Sequence, residues 1–212
     1  MSNARDEILQ RIGKATTDPS REEPVNRAYR VAGALAREES VELFCQRVRD
    51  YEAEVERLDA IGLAARIASA CKQREVRTLV IPAGIPAGWR GPDIELVEDR
   101  GLSTHALDRI DGVLTGCTAA IAETGTIILT AGPEEGRRAL SLVPDFHICV
   151  VREPQIVELL PEALSLLVAN RLNLRPITLI SGPSATSDIE LNRVEGVHGP
   201  RTLVVLVIKE PQ

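Results

Sequence analysis

The residues with the most chemical potential lie in a short stretch, AETGT, that separates two apolar runs. Glu123 supplies a carboxylate, and Thr124 and Thr126 supply hydroxyl groups on either side of Gly125. The run GCTAAI precedes the stretch and IILT follows it, which predicts a position between two buried strands. A carboxylate beside two hydroxyls can hydrogen-bond a small polar ligand or transfer a proton.

A second polar segment, SGPSATSDIE, follows another predicted strand. Backbone N–H groups in a Gly-Ser turn that opens a helix form a ready anion site. The alternative is a structural one, in which Ser184 or Asp188 only caps a short helix. One residue suffices for a cap, so the whole segment favours a ligand site; its candidate ligand-binding residues are Ser181, Gly182, Ser184, Thr186 and Asp188.

A third polar segment, GVHGPR, stands directly before the last predicted strand. His198 can carry a proton near neutral pH, and Arg201 can clamp a carboxylate or phosphate with two hydrogen bonds, while Gly199 lies between them. The alternative for His198 is a hydrogen-bonded structural role. We interpret His105 and His147 as structural, because one lies on a charged helix and the other alternates within a strand.

The composition predicts one large α/β domain with a helical appendage. The chain has 212 residues, of which 44% are hydrophobic and only 2% aromatic, so aliphatic side chains must fill the core. A net charge of −6 and the scarcity of aromatic stacking residues argue against nucleic acid as a partner. The charged N-terminus and the absence of a long apolar run predict a cytoplasmic protein with no signal peptide and no membrane span.

Cofactor motifs are missing from the sequence. The four cysteines form no C-x-x-C pair, so we interpret them as buried structural thiols and expect neither a metal nor an iron–sulfur cluster in this chain; they are Cys45, Cys71, Cys117 and Cys149. No dinucleotide-binding, P-loop, zinc-protease or hydrolase motif is present. The chain therefore lacks the fingerprint of a nicotinamide or flavin enzyme.

Apolar periodicity divides the chain into alternating helices and strands. Helical spacing predicts helices over residues 3–14, 39–54, 61–74, 103–110 and 154–170, with Pro161 bending or restarting the last one. Apolar runs predict strands in RTLVIPAG, IELVED, GVLTG, TIILTAG, FHICVVRE, ITLISG and RTLVVLVI. The alternation predicts an open, mostly parallel sheet with helices on both faces.

In such a sheet, ligands bind outside the carboxyl ends of the strands. We therefore expect the polar segments that adjoin the strands to converge there. Besides the three segments above, residues 82–84 and 117–118 follow predicted strands. The predicted organisation is an N-terminal helical arm and linker over residues 1–40 and a single domain over residues 41–212.

Four segments in order, AAIAETGTIILTAG, LVPDFHICVV, SGPSATSDIE and GVHGPRTLVVLVI, together resemble the LUD domain family, and most closely its members that serve lactate utilization. The resemblance covers residues 41–208. It implies a three-layer α/β/α sandwich similar to the sugar-phosphate isomerase and coenzyme A transferase superfamily. Family members are associated with a system that oxidises L-lactate to pyruvate alongside iron–sulfur partners. One departure is Ala185, where the family often has a basic residue.

The resemblance leaves several functions open. The first is a non-redox subunit or accessory protein of lactate oxidation that binds a small anionic ligand, with iron–sulfur clusters only in partner subunits. In this function Arg201 binds the anionic group, Ser184 and Thr186 donate hydrogen bonds, and Glu123 with His198 transfers or orients a proton. The alternative is an independent enzyme of the coenzyme A transferase or formyltetrahydrofolate cyclo-ligase type with Glu123 as nucleophile. A purely structural interaction module is the third possibility.

Overall fold

The computed structural model describes residues 4–16, 28–183 and 199–209. Its main sheet has six described strands, and every neighbouring pair is parallel. In spatial order they are β1 (Glu54–Asp59), β10 (Thr202–Lys209), β7 (Phe146–Arg152), β4 (Gly112–Thr115), β2 (Thr78–Ile81) and β3 (Glu95–Glu98). The predicted fold class, a mostly parallel sheet with helices, is confirmed.

The central strands are apolar at consecutive positions because both faces of this sheet are covered. Along β10, Val205 and Val207 face one core cluster, whereas Val204 and Leu206 face another. Side chains alternate between the two faces of a strand, so a strand buried on both sides must be apolar throughout. At the edge of the sheet β1 carries the charged residues of the sequence EVERLD and is only partly buried.

The helices lie on both sides of the main sheet. Their bounds are α1 (Ala4–Thr16), α2 (Arg37–Asp50), α3 (Leu63–Gln73), α4 (Thr104–Leu107) and α5 (Leu160–Ala169). Phe44 and Val48 of α2 pack on one face of the sheet, and Leu63 and Ile67 of α3 pack on the other. No residue of α1 is buried.

A second, smaller sheet shares the face of the main sheet that α2 covers. Its described strands, in spatial order, are β8 (Ile156–Val157), β5 (Ala119–Ile121), β6 (Thr126–Leu129) and β9 (Thr178–Ile180). Ile127 and Leu129 face the main sheet, whereas Ile121 and Ile128 face Leu167 of α5. The second sheet is therefore an intermediate layer between the main sheet and α5.

The run IILT, predicted as a strand, belongs to the second sheet and not to the parallel one. This run is β6, which pairs antiparallel with both β5 and β9. Only four residues, 122–125, connect β5 to β6. A parallel connection needs a dozen residues or more, so the short connection forces a hairpin.

Two of the predicted helices end or begin elsewhere. The helix predicted over residues 39–54 ends at Asp50, and β1 begins at Glu54. In the segment 154–170, predicted as two short helices or one bent helix, the chain has one α-helix: Glu153–Gln155 form a short 3₁₀ turn, and β8 follows before α5 begins. Pro161 lies in the first turn of α5, where proline is tolerated because its missing N–H has no helical partner.

Candidate functional site

The AETGT stretch is the turn of the β5–β6 hairpin, and it brings three hydroxyl groups together. The Oγ1 atoms of Thr124 and Thr126 lie 2.7 Å apart, and Thr126 Oγ1 lies 2.8 Å from Ser181 Oγ. Ser181 directly follows β9, the neighbour of β6. We call these three residues the hydroxyl cluster. Two of the three predicted polar segments therefore meet through side-chain hydrogen bonds.

Two glycines shape the backbone on either side of the hydroxyl cluster. Gly125 has φ +61°, and a Cβ there would lie 2.8 Å from the backbone of Arg47 in α2. Gly182 has φ +87°, and a Cβ there would lie 2.8 Å from Cβ of Tyr51. Positive φ and close backbone approach both favour glycine. The turn and the end of β9 are thus held against the C-terminal half of α2.

Glu123 forms an ion pair across the turn with Arg30, a residue of the region predicted as arm and linker. Arg30 also contacts Glu158, with 3.2 Å between Nη1 and Oε1. The backbone N–H of Glu123 donates to the carbonyl oxygen of Glu158 at 3.0 Å. Arg30 therefore links the hairpin turn to the segment that leads into α5.

Glu158 anchors the segment of residues 28–36, which we call the strap. Its side chain is only 8% exposed, and its Oε2 atom accepts hydrogen bonds from the backbone N–H groups of Ala34 at 2.5 Å and Leu35 at 2.7 Å. The hydrogen bond from Leu35, with those from Ala34 and Arg30, lowers the pKa of Glu158. Glu158 is therefore a carboxylate at neutral pH, and the strap lies across it.

The described part of the third polar segment, residues 199–201, lies at the amino ends of the parallel strands. Gly199 lies beside Pro183, since a Cβ on Gly199 would be 3.3 Å from the Pro183 carbonyl oxygen. Arg201 directly precedes β10, and its Nε lies 3.6 Å from Oδ1 of Asp145, which directly precedes β7. Arg201 therefore lies at the amino ends of the parallel strands, whereas the prediction placed it at their carboxyl ends.

Four of the predicted site residues lie outside the described residues. They are Ser184, Thr186, Asp188 and His198. The chain enters this segment after Pro183, next to the hydroxyl cluster, and leaves it at Gly199. Their roles stay predictions.

The expected convergence of the AETGT and GVHGPR segments at the carboxyl edge is wrong. The first is a hairpin turn of the second sheet, and the second precedes a strand of the main sheet. Residues 82–84 and 117–118 do follow parallel strands. There Gly84 N–H donates to the carbonyl oxygen of Pro133 at 2.9 Å, and Thr118 contacts Thr130 and Glu135.

The charged residues at this carboxyl edge were not among the predicted site residues. Arg152, the last residue of β7, forms a bidentate ion pair with Glu134 at 2.8 and 2.9 Å, and its guanidinium lies 5.1 Å from the centroid of the Trp89 ring. The charges RE at the end of FHICVVRE were the available signal, because charged residues directly after an apolar run mark a strand end. Arg30 and Glu158 left no such signal, since they are 128 positions apart in sequence.

Two buried titratable groups outside the hydroxyl cluster, His147 and Cys117, have contacts that indicate a structural role. His147 is buried, and its Nε2 atom lies 2.8 Å from Oγ1 of Thr115. Burial lowers the pKa of His147 to about 4, so its ring is neutral at neutral pH. A contact with the Cys149 thiol, together with burial, raises the pKa of Cys117. Both groups therefore stay uncharged within the core.

The hydroxyl cluster and the Arg30 bridge together define the chemistry available at this site. Each hydroxyl can donate one hydrogen bond and accept others. The cluster can therefore hydrogen-bond a hydroxyl group, a carboxylate or a carboxylic acid. Arg30 is a permanent cation with a planar set of donors that suits a carboxylate. The arrangement fits a small hydroxy or oxo acid better than an apolar ligand.

Comparison with known proteins identifies the class of this α/β protein. The model of the LUD domain matches residues 27–208, so the chain belongs to the LUD domain family. None of the helices in the described part of the chain is long and apolar enough to span a membrane.

Two relatives match over nearly their whole length. The chain is 48% identical over 208 residues to Lactate utilization protein C of Deinococcus radiodurans, which covers 98% of this chain and 96% of that protein. It is 30% identical over 220 residues to an uncharacterized protein of Neisseria meningitidis serogroup B, with 97% and 94% covered. The fold resembles the crystal structure of a DUF162 family protein from Deinococcus radiodurans, with a TM-score of 0.73, 45% identity, and coverage of 82% of this chain and 99% of that chain.

Proposed function

We propose that this protein acts in lactate utilization, as a subunit or accessory protein of a system that oxidises L-lactate to pyruvate. The observation that carries the proposal is the 48% identity to a protein named Lactate utilization protein C over 98% of this chain. Such similarity extends from the hairpin turn to the arm and is not confined to one motif. The proposal therefore rests on similarity along the whole chain.

The proposed subunit does not itself carry the electrons. An iron–sulfur cluster needs several cysteine thiolates around one centre. The four cysteines are buried and free, and among the described residues no three His, Cys, Asp or Glu side chains are grouped to hold a metal ion. We therefore assign electron transfer to iron–sulfur partner subunits, with which this chain associates in the cytoplasm.

The proposed ligand site is the hydroxyl cluster with the adjacent polar segment. Thr124, Thr126 and Ser181 are within hydrogen-bonding distance of one another. A small carboxylate ligand could accept hydrogen bonds from these hydroxyls while Arg30 turns from Glu123 to the ligand. In the wider proposal Ser184, Thr186 and Asp188 extend the site, and His198 with Glu123 handles a proton. Arg201, which lies beside Asp145 at the amino end of β10, would attract the anion from outside the hydroxyl cluster.

A thermal-shift screen tests this ligand site. L-lactate, pyruvate, nucleotides and coenzyme A esters are compared on the wild type and on Thr126→Val, which keeps the shape of the side chain and removes the hydroxyl. A ligand that binds the folded state raises the melting temperature. We expect L-lactate or pyruvate to raise that of the wild type and to leave Thr126→Val unchanged. Equal shifts in both proteins, or none in the wild type, would contradict the proposed site.

Association with partners is tested separately. The tagged chain is purified from cells grown on L-lactate and from cells grown without it. We expect iron–sulfur proteins to copurify from the lactate-grown cells, with a broad visible absorption that the chain alone does not have. A chain that is recovered without any such partner under both conditions would contradict the subunit role.

The alternative enzymatic function has one observation in its favour. The Glu123 side chain is 48% exposed at the tip of a hairpin, so an acyl donor could approach its carboxylate. As a nucleophile it would form a covalent acyl intermediate. Incubation with acyl-coenzyme A donors followed by mass spectrometry tests this function. An adduct on Glu123 that Glu123→Gln abolishes would support it, and the absence of any adduct would exclude it for those donors.

A further inference from the structure

The main sheet has a topological switch point between β2 and β4. From β2 the chain goes to β3 on one side, and from β3 it returns to β4 on the other side. The segment after β2 leaves on the face of α3, where Trp89 packs, and the segment after β4 leaves on the face of α2, where Cys117 packs. Open α/β sheets bind ligands between two such segments, at the carboxyl ends of the strands. We call this place the switch cleft.

A segment of the chain itself, residues 132–136, lies in the switch cleft. The N–H group of Gly84, after β2, donates to the carbonyl oxygen of Pro133 at 2.9 Å. The N–H group of Gly116, after β4, donates to the carbonyl oxygen of Glu134 at 2.8 Å. The segment therefore bridges the two sides of the cleft and brings the side chain of Glu134 into it.

The Glu134 carboxylate lies among a cation, an aromatic ring and a glycine. The Arg152 guanidinium donates to its two oxygens at 2.8 and 2.9 Å, and the same guanidinium lies 5.1 Å from the centroid of the Trp89 ring. A Cβ on Gly116 would lie 2.7 Å from Oε2 of Glu134 and 3.4 Å from Cη2 of Trp89. The absence of a side chain at Gly116 thus makes room for the carboxylate.

The contacts of Glu134 are those that a free carboxylate would make. The guanidinium fork matches a planar carboxylate with two parallel hydrogen bonds. The side chains of Glu134 and Arg152 are 29% and 21% exposed, and an ion pair that solvent reaches adds little to stability. A carboxylate from solvent can therefore take over both hydrogen bonds at small cost to the fold.

We propose that the switch cleft is a binding site for a small carboxylate, which replaces the Glu134 carboxylate on Arg152. Glu134 is then an intramolecular competitor, and the ligand binds only to the fraction of molecules in which Glu134 has turned away. The ligand class is a monocarboxylate of the size of propionate, because propionate matches the glutamate side chain in size and charge. The proposal goes beyond the proposed function and does not rest on it, since the hydroxyl cluster belongs to the second sheet.

The fluorescence of Trp89 tests the proposal in the full-length protein. Trp89 is the only tryptophan of the chain, and Arg152 lies over its ring, so its emission reports on the switch cleft. Propionate is titrated into the wild type and into Glu134→Ala at constant ionic strength. We expect both to saturate, with a Kd about tenfold lower in Glu134→Ala because the competing carboxylate is gone. Propionamide, which is neutral and of the same shape, should change neither emission.

Two further variants separate the fork from a general effect of charge. Arg152→Lys keeps the positive charge and removes the fork, so it should lose propionate binding. The matched control is Glu54→Ala, which removes the carboxylate partner of Arg74, a guanidinium 5.4 Å from the centroid of the Phe146 ring at the amino end of the sheet. Glu54→Ala should bind propionate with the Kd of the wild type. An unchanged circular dichroism spectrum verifies the fold of each variant.

Several outcomes would overturn the proposal. They are equal Kd values in the wild type and Glu134→Ala, a wild type whose emission shows no saturable change, and propionate binding that survives Arg152→Lys. A response to propionamide as large as that to propionate would also exclude a carboxylate site. If Glu134→Ala does not fold, Glu134→Gln replaces it, since glutamine keeps the size of the side chain and removes its charge, and the same decrease in Kd relative to the wild type is expected.

Discussion

At the scale of the residue, the same side-chain type serves different purposes in different surroundings. The hydroxyls of Thr124, Thr126 and Ser181 bond to one another beside a polar segment. The hydroxyl of Thr115 instead contacts Nε2 of a buried histidine, His147, on the neighbouring parallel strand. The first set lies at a hairpin turn next to the end of β9, whereas the second is enclosed by the core.

His147 should make the stability of the protein depend on pH. Burial lowers its pKa from 6.5 to about 4, so below pH 6.5 the unfolded chain binds a proton that the folded chain does not. The stability of the folded state that depends on a neutral His147 is therefore fully present above pH 6.5, and it is lost as the pH falls towards 4. Its total is on the order of 3 kcal/mol in the free energy of unfolding.

Urea unfolding at several pH values measures this dependence. The wild type is compared with His147→Gln and with His105→Gln, in which an exposed histidine of α4 is replaced. The loss of stability between pH 6.5 and 4 should be smaller in His147→Gln than in the wild type and unchanged in His105→Gln. Parallel pH profiles for the wild type and His147→Gln would show that His147 is not the source.

Thr126 tests the hydroxyl cluster independently of any ligand. Its side chain is buried and its Oγ1 atom contacts both Thr124 and Ser181. Thr126→Val should reduce the free energy of unfolding by about 1 kcal/mol, because hydrogen bonds are lost and no cavity is made. Thr104→Val, at the exposed start of α4, is the matched control and should change stability little. A Thr126→Val protein as stable as the wild type would mean that the hydroxyl contacts contribute nothing.

At the scale of the element, the strap is the connection that ties the N-terminal region to the second sheet. It crosses Glu158 next to the start of α5, and Arg30 within it reaches the hairpin turn. Arg37, the first residue of α2, donates from Nη1 to the carbonyl oxygens of Glu153 at 3.0 Å and Ile156 at 3.2 Å. The predicted domain boundary at residue 40 stays a prediction, and these contacts show that residues 30–37 touch the rest of the chain.

Gly33→Ala should loosen the strap. A Cβ at position 33 would lie 2.5 Å from both Cβ and Oε2 of Glu158, closer than nonbonded atoms can approach. The carboxylate must therefore move and lose its hydrogen bonds to Ala34 and Leu35. We expect a loss of about 1–3 kcal/mol in the free energy of unfolding.

The matched control for this prediction is Gly88→Ala. No atom lies within 4 Å of the position that a Cβ on Gly88 would take. Chemical denaturation of both variants and of the wild type gives the comparison. If Gly33→Ala is as stable as Gly88→Ala, the strap does not depend on a glycine at this position.

The sequence predicted elements well where burial alone determines them. The run LVVLVI is buried on both faces, and its apolar residues at consecutive positions identify it as a central strand without further information. The strand β1 was not predicted, since the helices expected on either side of it cover residues 39–54 and 61–74. An edge strand is half exposed, and the charged residues of β1 do not alternate clearly with apolar ones. The sequence did not show where α5 begins, because the mostly apolar run IVELLP is compatible with both a strand and a helix.

The candidate site was predicted only in part because its members are joined by tertiary contacts. The proximity of Thr126 to Ser181 follows from the pairing of β6 with β9, which no local pattern encodes. The four-residue turn at Gly125 did carry a hairpin signal, since it is too short for a parallel crossover. Arg30 could not be found from local pattern, because its partners Glu123 and Glu158 are 93 and 128 positions away.

At the scale of the whole molecule, the proposed division of labour makes a clear prediction about activity. The purified chain should not reduce a dye when it is given L-lactate, because its cysteines are buried thiols and no flavin or nicotinamide motif is present. Activity should appear when the iron–sulfur partners from the same cells are added. Lactate-dependent dye reduction by the chain alone would contradict the proposed non-redox role, and heat-treated partners provide the control.

Growth on L-lactate tests the central proposal most directly. A strain from which this protein is deleted is grown with L-lactate, pyruvate or glucose as the carbon source, with and without the wild-type chain supplied from a plasmid. We expect growth to fail on L-lactate alone, to continue on pyruvate and glucose, and to be restored by the wild-type chain. A deletion strain that grows on L-lactate as fast as its parent would contradict a role in lactate oxidation.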